Sequence, residues 1–481
     1  MLKLIPQPEF IEYKEGLSSN SVSYKEDKTL PAEGYTINAN ADGIAIGYGG
    51  EAGKFYAQKT LEQILRQSQF GIPQMTIKDT PKYNYRGFML DCARHFFDLD
   101  EIKRLLDIIA GLKLNKFHWH LTDDQGWRVE IKKYPRLTEV GSRRSATRGD
   151  GREVKGFYSQ EQIKEIVRYA ADRFIEVIPE VDMPGHFTAA IASYSYLGCE
   201  NKEIRVSESF GIHADIACAG KEATYEFCKD VLKEVFDLFP SKFIHLGGDE
   251  ALKMKWINCP DCQQKMKENN LKNEEELQGY FMNRMTEFAK ENGKTVINWN
   301  DGLIGGNMDE SVILQYWKES KLGKEILFRE ASNGRKIIMS PFYAYYMDYP
   351  YGMTGLKKTY NYEVAKEFEK GVIGLEAPLW AEYVADNEKL HYMIFPRLIA
   401  VAERAWSKEN RYSDFIGRLE EYYNYLDTIN INYAKDYNPN IFKGLWAVIK
   451  FFANVNDKEN RKNFKLLILN KKAVRKKYGR K

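Results

Sequence analysis

Two observations predict an α/β fold of the (β/α)8, or TIM-barrel, class. Between residues 85 and 382 eight short apolar runs recur, and amphipathic helical segments separate most of them. A third, an N-terminal stretch in which apolar and polar residues alternate around Asn, Asp and Gly, predicts a small α+β domain ahead of the barrel. The expected domains are residues 1–80 for the α+β unit, 81–435 for the barrel and 436–481 for a C-terminal extension.

In the first unit, "GYTINANADGIAIGYGG" reads as strand and turn and "FYAQKTLEQILRQ" as helix, while "IPQMTIKDTPKY" reads as a connector. The unit is expected to be too short for a full sheet. The barrel strands follow as "RGFMLDCA", "NKFHWHLT", "FIEVIPEVD", "KFIHLGGDE", "KTVINWND", "VILQYW", "KIIMSP" and "VIGLEAPLW". Between them, "LDEIKRLLDIIAGLK" and "EATYEFCKDVLKEVFDLF" carry apolar residues at spacings of three and four. After the seventh strand an aromatic loop, "FYAYYMDYPYGMTG", stands where a helix is expected, and long loops in compact domains are usually functional.

With 481 residues, 43% of them hydrophobic, the chain can bury a large core. Its 31 Tyr, 26 Phe and 8 Trp suit a flat ligand with apolar faces, such as a sugar ring. The start, MLKLIPQPEF, lacks a signal-peptide core, and no apolar run approaches the ~20 residues of a membrane-spanning helix. Six cysteines do not make a disulfide framework in a chain of this length, so the expected location is the cytoplasm. Residues 461–481 hold ten Lys or Arg and no acid, leaving the rest of the chain net acidic. That split gives no support to a nucleic-acid partner for the protein as a whole, and the basic tail reads as a solvated end.

Chemistry in such barrels sits at the carboxyl ends of the strands. The first ends in Asp91, with Arg94 and His95 close behind, the second in His120, Asp123 and Asp124, and the third in Glu180, Asp182 and His186. The fourth delivers Asp249 and Glu250, the fifth Trp299 and Asp301, and the sixth Trp317. Tyr346 and Asp348 follow the seventh, Trp380 and Glu382 the eighth. Three Trp among carboxylates and an Arg match a pyranose, which has apolar faces and a fringe of hydroxyls. Two carboxylates beside a sugar suggest glycoside hydrolysis. Neighbours in sequence do not easily straddle a scissile bond, however, and a route in which a 2-acetamido group of the substrate assists needs only one protein acid.

"GFMLDCARHF", "KFHWHLTDDQGWR", "PEVDMPGH", "HLGGDE", "YMD" and "EAPLWAE" occur in the order found in family 20 β-N-acetylhexosaminidases, which the chain resembles over about residues 83–410. The resemblance implies an exo-acting, retaining enzyme with no metal and no other cofactor, acting on oligosaccharides or glycoconjugates that end in β-linked N-acetylhexosamine. It implies Glu250 as general acid and then base, Asp249 as orienter of the acetamido group, and Tyr346 as donor to the acetamido oxygen. Trp299, Trp317 and Trp380 would wall the sugar; Arg94 and Glu382 would hold O3 and O4, Asp348 would sit near O6, and Asp123 with His186 would support Glu250.

Plainer readings stand beside these. Asp249 and Glu250 can favour a helix N-terminus. His118 and His120 share a strand face that can ligate zinc, although such histidines are more often core residues. "CPDC", Cys259 and Cys262, has metal or redox spacing, but a structural zinc site needs two more ligands and none is evident nearby. "NIFKGLWAVIKFFANV" reads as a helix packed on the barrel or as a membrane-surface or partner-binding segment. A lacto-N-biosidase of the same family and a non-catalytic sugar-binding protein are the rival functions.

Overall fold

The computed structural model describes residues 2–147, 151–318, 321–409, 411–439 and 441–455, with scattered positions from 465 to 477. The expected solvated tail lies mostly outside the described residues. Among the described residues no helix is long and apolar enough to cross a membrane.

The N-terminal unit holds five strands, β1 (Phe10–Leu17), β2 (Val22–Glu26), β3 (Tyr35–Asn40), β4 (Gly43–Tyr48) and β5 (Pro73–Asp79), in the order β1-β5-β3-β4-β2. The helix Glu51–Gln67 packs on it. Two expectations are thereby corrected. The supposed connector is β5, which pairs with both β1 and β3, and the unit contains a complete sheet. The two outermost strands, β1 and β2, are largely exposed, so no apolar alternation marked them in the sequence.

The eight runs are the eight strands of a closed parallel barrel: β6 (Tyr85–Asp91), β7 (Lys116–His120), β8 (Glu176–Glu180), β9 (Phe243–His245), β10 (Thr295–Trp299), β11 (Ile313–Tyr316), β12 (Ile337–Met339) and β13 (Val372–Leu379). The last pairs with the first, from Gly374 opposite Tyr85 to Leu379 opposite Leu90. Several helices start where a side chain satisfies their first N–H groups. Asp98 accepts from the Glu101 amide to cap Leu99–Gly111, and Ser159 and Gln162 form a capping box ahead of Gln160–Ala171. After β12 the aromatic loop replaces a long helix with two short turns, Phe342–Tyr345 and Leu356–Tyr360.

The barrel interior is layered. Tyr85, Ile178, Ile297, Ile313 and Ile338 form a small apolar cluster of their own. Next to it a polar layer begins, in which Glu376 accepts from Tyr85 (2.5 Å) and Gln315 (2.5 Å) and pairs with His118 (2.9 Å). Barrel interiors are usually filled by branched aliphatic side chains, so these buried polar groups need one another.

Two ion pairs fasten the N-terminal sheet to the barrel. Arg86 holds Glu33 through both nitrogens, at 2.8 and 3.0 Å. Lys113 Nζ lies 3.0 Å from Asp79 Oδ2, both side chains fully buried, and Trp406 Nε1 and the Tyr35 hydroxyl donate to the same carboxylate. Near the C-terminus the helix Ile441–Val455 lies against the barrel mouth, its Phe451 ring 5.7 Å from Tyr349 and 5.8 Å from Tyr383.

Lys113→Met should cost about 3–5 kcal/mol in a guanidinium unfolding curve, because it leaves the Asp79 carboxylate buried without its cation. A loss below about 1 kcal/mol would mean that the Tyr35 and Trp406 donors suffice for that carboxylate.

Candidate active site

Beyond His245 the chain turns sharply, with φ of +66° at Gly247, +93° at Gly248 and +47° at Glu250. Only glycine fits at 247. Its φ is left-handed, and a Cβ there would stand 1.6 Å from Asp182 Oδ1. That close approach lets Asp182 accept the Gly248 N–H at 3.1 Å. No α-helix follows Asp249 and Glu250 until Pro260, so the reading of the pair as a helix-favouring charge falls.

His186 stands over the pair, its Nε2 3.6 Å from Asp249 Oδ2 and 3.9 Å from Glu250 Oε2. Its other nitrogen is 3.1 Å from Asp123 Oδ1. Asp123 Oδ2 in turn meets Arg94 at 2.7 Å and His120 Nε2 at 2.9 Å, and His120 Nδ1 is 2.5 Å from Glu180. Burial alone would push the Asp123 carboxyl up, but Arg94 and His186 hold it well below the usual range. Burial likewise lowers His186, yet Asp123 and Asp249 outweigh it and keep the ring protonated well past its ordinary value. The supporting pair expected from the sequence is thus one link of a longer buried chain.

Arg94, His186, Asp249, Glu250, Trp317, Tyr346, Asp348, Tyr349, Trp380 and Glu382 line a cavity of about 170 Å³. Nine of the eleven expected site residues lie in this wall, His186 among them; Asp123 and Trp299 do not. Trp317 stacks near-parallel on Tyr346 at 6.1 Å, Tyr346 stands 6.2 Å from Trp380, and Arg94 lies 5.0 Å above the Trp380 ring. Trp299 is placed differently from the expected sugar wall. It is fully buried 5.7 Å from Trp380 and donates to Glu180 at 2.9 Å, so in this structure it supports the wall. Three buried polar atoms of wall residues, Asp249 Oδ1, Trp317 Nε1 and Asp348 Oδ1, make no hydrogen bond to the described protein. Three such atoms on the wall of one cavity suit a ligand rich in polar groups.

Sequence reasoning missed Tyr349 and Lys318. Tyr349 follows "YMD" directly and stacks 6.3 Å from Tyr346; Lys318 follows Trp317, covers its ring at 3.5 Å and reaches Glu250 Oε1 at 3.3 Å. It also assigned no role to Glu180, whose buried carboxylate meets His118, His120, His245 and Trp299 at 2.5 to 3.1 Å.

The histidine zinc reading finds little room. Both nitrogens of His118 face carboxylates, Glu376 at 2.9 Å and Glu180 at 3.1 Å, and so do both of His120. Burial lowers the His118 ring, but Glu376 and Glu180 prevail and bring it to about 9. For "CPDC" the expectation is overturned the other way: the fold brings Cys199 and Cys218, distant in sequence, beside Cys259 and Cys262.

A parallel barrel whose rim gathers adjacent carboxylates, aromatic walls and unsatisfied polar atoms has the make-up of a carbohydrate site. The family profile "Glycosyl hydrolase family 20, catalytic domain" matches residues 83–409, and "Glycosyl hydrolase family 20, domain 2" matches residues 11–80. The chain belongs to glycosyl hydrolase family 20. It is 40% identical to a beta-hexosaminidase of Porphyromonas gingivalis over 88% of this chain, spanning only 57% of that relative's length. A beta-hexosaminidase of Akkermansia muciniphila is 34% identical over 84% of this chain and 86% of its own. The crystal structure of a Vibrio harveyi GH20 exo beta-N-acetylglucosaminidase in complex with N-acetylglucosamine superimposes with a TM-score of 0.82 at 29% identity, covering 90% of this chain and 78% of that one.

Asp301, whose Oδ2 faces the Glu250 amide at 3.5 Å, yields a pH test. Burial pushes its carboxyl from 3.8 up to about 7, with Lys318 opposing and Asp249 and Glu250 reinforcing. Between those values the folded protein holds a proton that the unfolded chain has lost, so this group's contribution to stability falls as pH rises through that window. Asp301→Asn removes the fall, and its urea midpoint should gain on the parent's between about pH 4.5 and 7.5. An unchanging difference between the two would mean that Asp301 titrates as it does in the unfolded chain.

Proposed function

We propose that the protein is an exo-acting, retaining β-N-acetylhexosaminidase that removes terminal non-reducing GlcNAc, with GalNAc as a second candidate, by substrate-assisted catalysis. The carrying observation is the adjacent pair Asp249 and Glu250 at one wall of a small aromatic cavity, with Asp249 Oδ1 buried and unpartnered. Ligand sites for drug-sized molecules run to roughly 300–1,000 Å³. A cavity of about 170 Å³ is suited to one sugar unit and less so to the disaccharide of a lacto-N-biosidase.

In this reading Glu250 protonates the glycosidic oxygen while the acetamido carbonyl attacks the anomeric carbon. The C1–O bond breaks, an oxazolinium forms, and Glu250 then takes a proton from the water that opens it. Asp249 Oδ1 is the acceptor for the acetamido N–H, and the Tyr346 hydroxyl donates to the acetamido oxygen. Trp317, Tyr346 and Trp380 cover the ring, and Arg94 with Glu382 hold the O3 and O4 side. Asp348 has its carboxyl pushed up to about 8 by burial and by Glu382. It is therefore mostly protonated at neutral pH, which suits a donor to a hydroxyl and not a second catalytic carboxylate. The N-acetylglucosamine bound to the Vibrio harveyi relative supports the same substrate class.

Chromogenic β-glycosides of GlcNAc, GalNAc and lacto-N-biose separate the possibilities. Release of GlcNAc is expected, and Glu250→Gln should lower kcat by roughly 10²–10⁴-fold. Release from none of the three would favour a binding protein; release of the disaccharide alone would favour the lacto-N-biosidase. A GlcNAc-thiazoline, which imitates the cyclised intermediate, should inhibit strongly, and an active enzyme indifferent to it would not be using the acetamido group.

A further inference from the structure

Four of the six cysteines converge on one point outside the cavity. Cys199 follows the turn Ser195–Leu197, and Cys218 follows Ala217, which bridges to Gly198. Cys259 caps the helix Pro260–Glu268, and Cys262 lies in its first turn. The sulfur separations are 3.7 Å for Cys218 to Cys262, 3.8 Å for Cys218 to Cys259 and 3.9 Å for Cys199 to Cys262. All four sulfurs lie within 4.8 Å of one another, and Cys218, Cys259 and Cys262 are buried.

These distances discriminate between the chemistries open to four thiols. A disulfide needs its sulfurs at about 2.0 Å, and no pair here is set apart from the rest as a bonded couple. A tetrahedron of thiolates at about 2.3 Å from a central zinc has edges of about 3.8 Å. The observed separations straddle that value.

The surroundings fit the same reading. Cys259 stands at the N-terminus of a nine-residue helix, where negative charge is favoured. Gly220 presses its backbone onto the "CPDC" turn so tightly that a Cβ would stand 2.3 Å from the Cys262 nitrogen. Among the described residues, Cys92 and Cys228, in the same core, belong to no such group.

We propose that Cys199, Cys218, Cys259 and Cys262 form a tetrathiolate site for a structural zinc ion. The ion would clamp the loop after β8 to the loop after β9, which carries Asp249 and Glu250. The two loops already meet through Trp256 Nε1 on the Ala217 carbonyl at 3.0 Å and through Lys255 on Asp215 at 2.5 Å and Glu200 at 2.9 Å. Each thiol gives up its proton on binding, so loading the metal releases protons and grows weaker in acid. The proposal stands independently of the glycosidase reading, because its first readout is metal content.

The test uses the full chain with any affinity tag removed, reduced, incubated with a small excess of zinc and freed of loosely held metal by gel filtration. Elemental analysis should find about one zinc per chain, and an organomercurial that caps thiols should release it to a colorimetric chelator. Cys262→Ser and Cys218→Ser should lose the metal and melt at lower temperature, while Cys228→Ser keeps it. Should the serine variants not fold, cobalt loaded into the parent chain should give the intense thiolate-to-cobalt absorption of a tetrahedral sulfur site. Zinc below about 0.1 per chain after this loading, a mass lowered by disulfide formation in unreduced protein, or stoichiometric iron in place of zinc would each overturn the assignment.

Discussion

The Asp123 carboxylate is the constraint on which the site depends. It is buried and shared among Arg94, His120 and His186 at 2.7 to 3.1 Å, each of which serves a second purpose. Arg94 lines the cavity, His120 passes the contact down to Glu180 inside the barrel, and His186 stands over Asp249 and Glu250. A buried carboxylate with one partner removed is a large local cost, commonly 3–5 kcal/mol. The three partners are therefore held in place by the carboxylate between them, and the rim cannot relax one member at a time. The general acid proposed in Glu250 would need surroundings that stay fixed while its own proton comes and goes, and this arrangement suits that need.

The same logic extends inward. Glu180 gathers three histidines and an indole, and Glu376 gathers a histidine, a tyrosine and a glutamine. Buried polar groups in a barrel interior are costly unless partnered, and a network of this sort has few alternative arrangements. The cost of the polar layer is offset elsewhere by apolar packing between strands and surrounding helices, which forms the large continuous core. The site thus rests on a polar column tied together by these carboxylate contacts, enclosed by an apolar sheath that supplies stability.

Much of this was legible in the sequence, and the exceptions have physical causes. All eight barrel strands could be read, because parallel strands buried on both faces appear as continuous apolar runs. Most of the cavity wall could be read as well, since barrel chemistry clusters just past those runs. The edge strands β1 and β2 could not, because a largely exposed strand carries no apolar alternation. Trp299 could be placed at a strand end but not assigned a side: its ring turns toward Glu180, a partner set by the closure of the barrel. The four cysteines show the limit most plainly. Positions 199, 218, 259 and 262 have no motif spacing as a set, and only the juxtaposition of two barrel loops makes them neighbours.

Adjacency of the two carboxylates is the feature that ordinary glycosidase geometry does not accommodate. Catalytic acids that act from opposite sides of a bond sit on different strands, and the distance between them selects the stereochemical outcome. Asp249 and Glu250 share one turn, tightened by Gly247 against Asp182, so their separation is fixed by the backbone and is not adjustable by barrel size. A pair fixed in this way cannot serve as acid and opposing nucleophile. It can serve as acid and orienter, provided that the nucleophile arrives with the substrate. The precision demanded of the protein then moves from the spacing of two side chains to the setting of one short loop. Glu250 is held there at positive φ, between His186 and Lys318 and beside Asp301, and those contacts fix the loop's position from three sides.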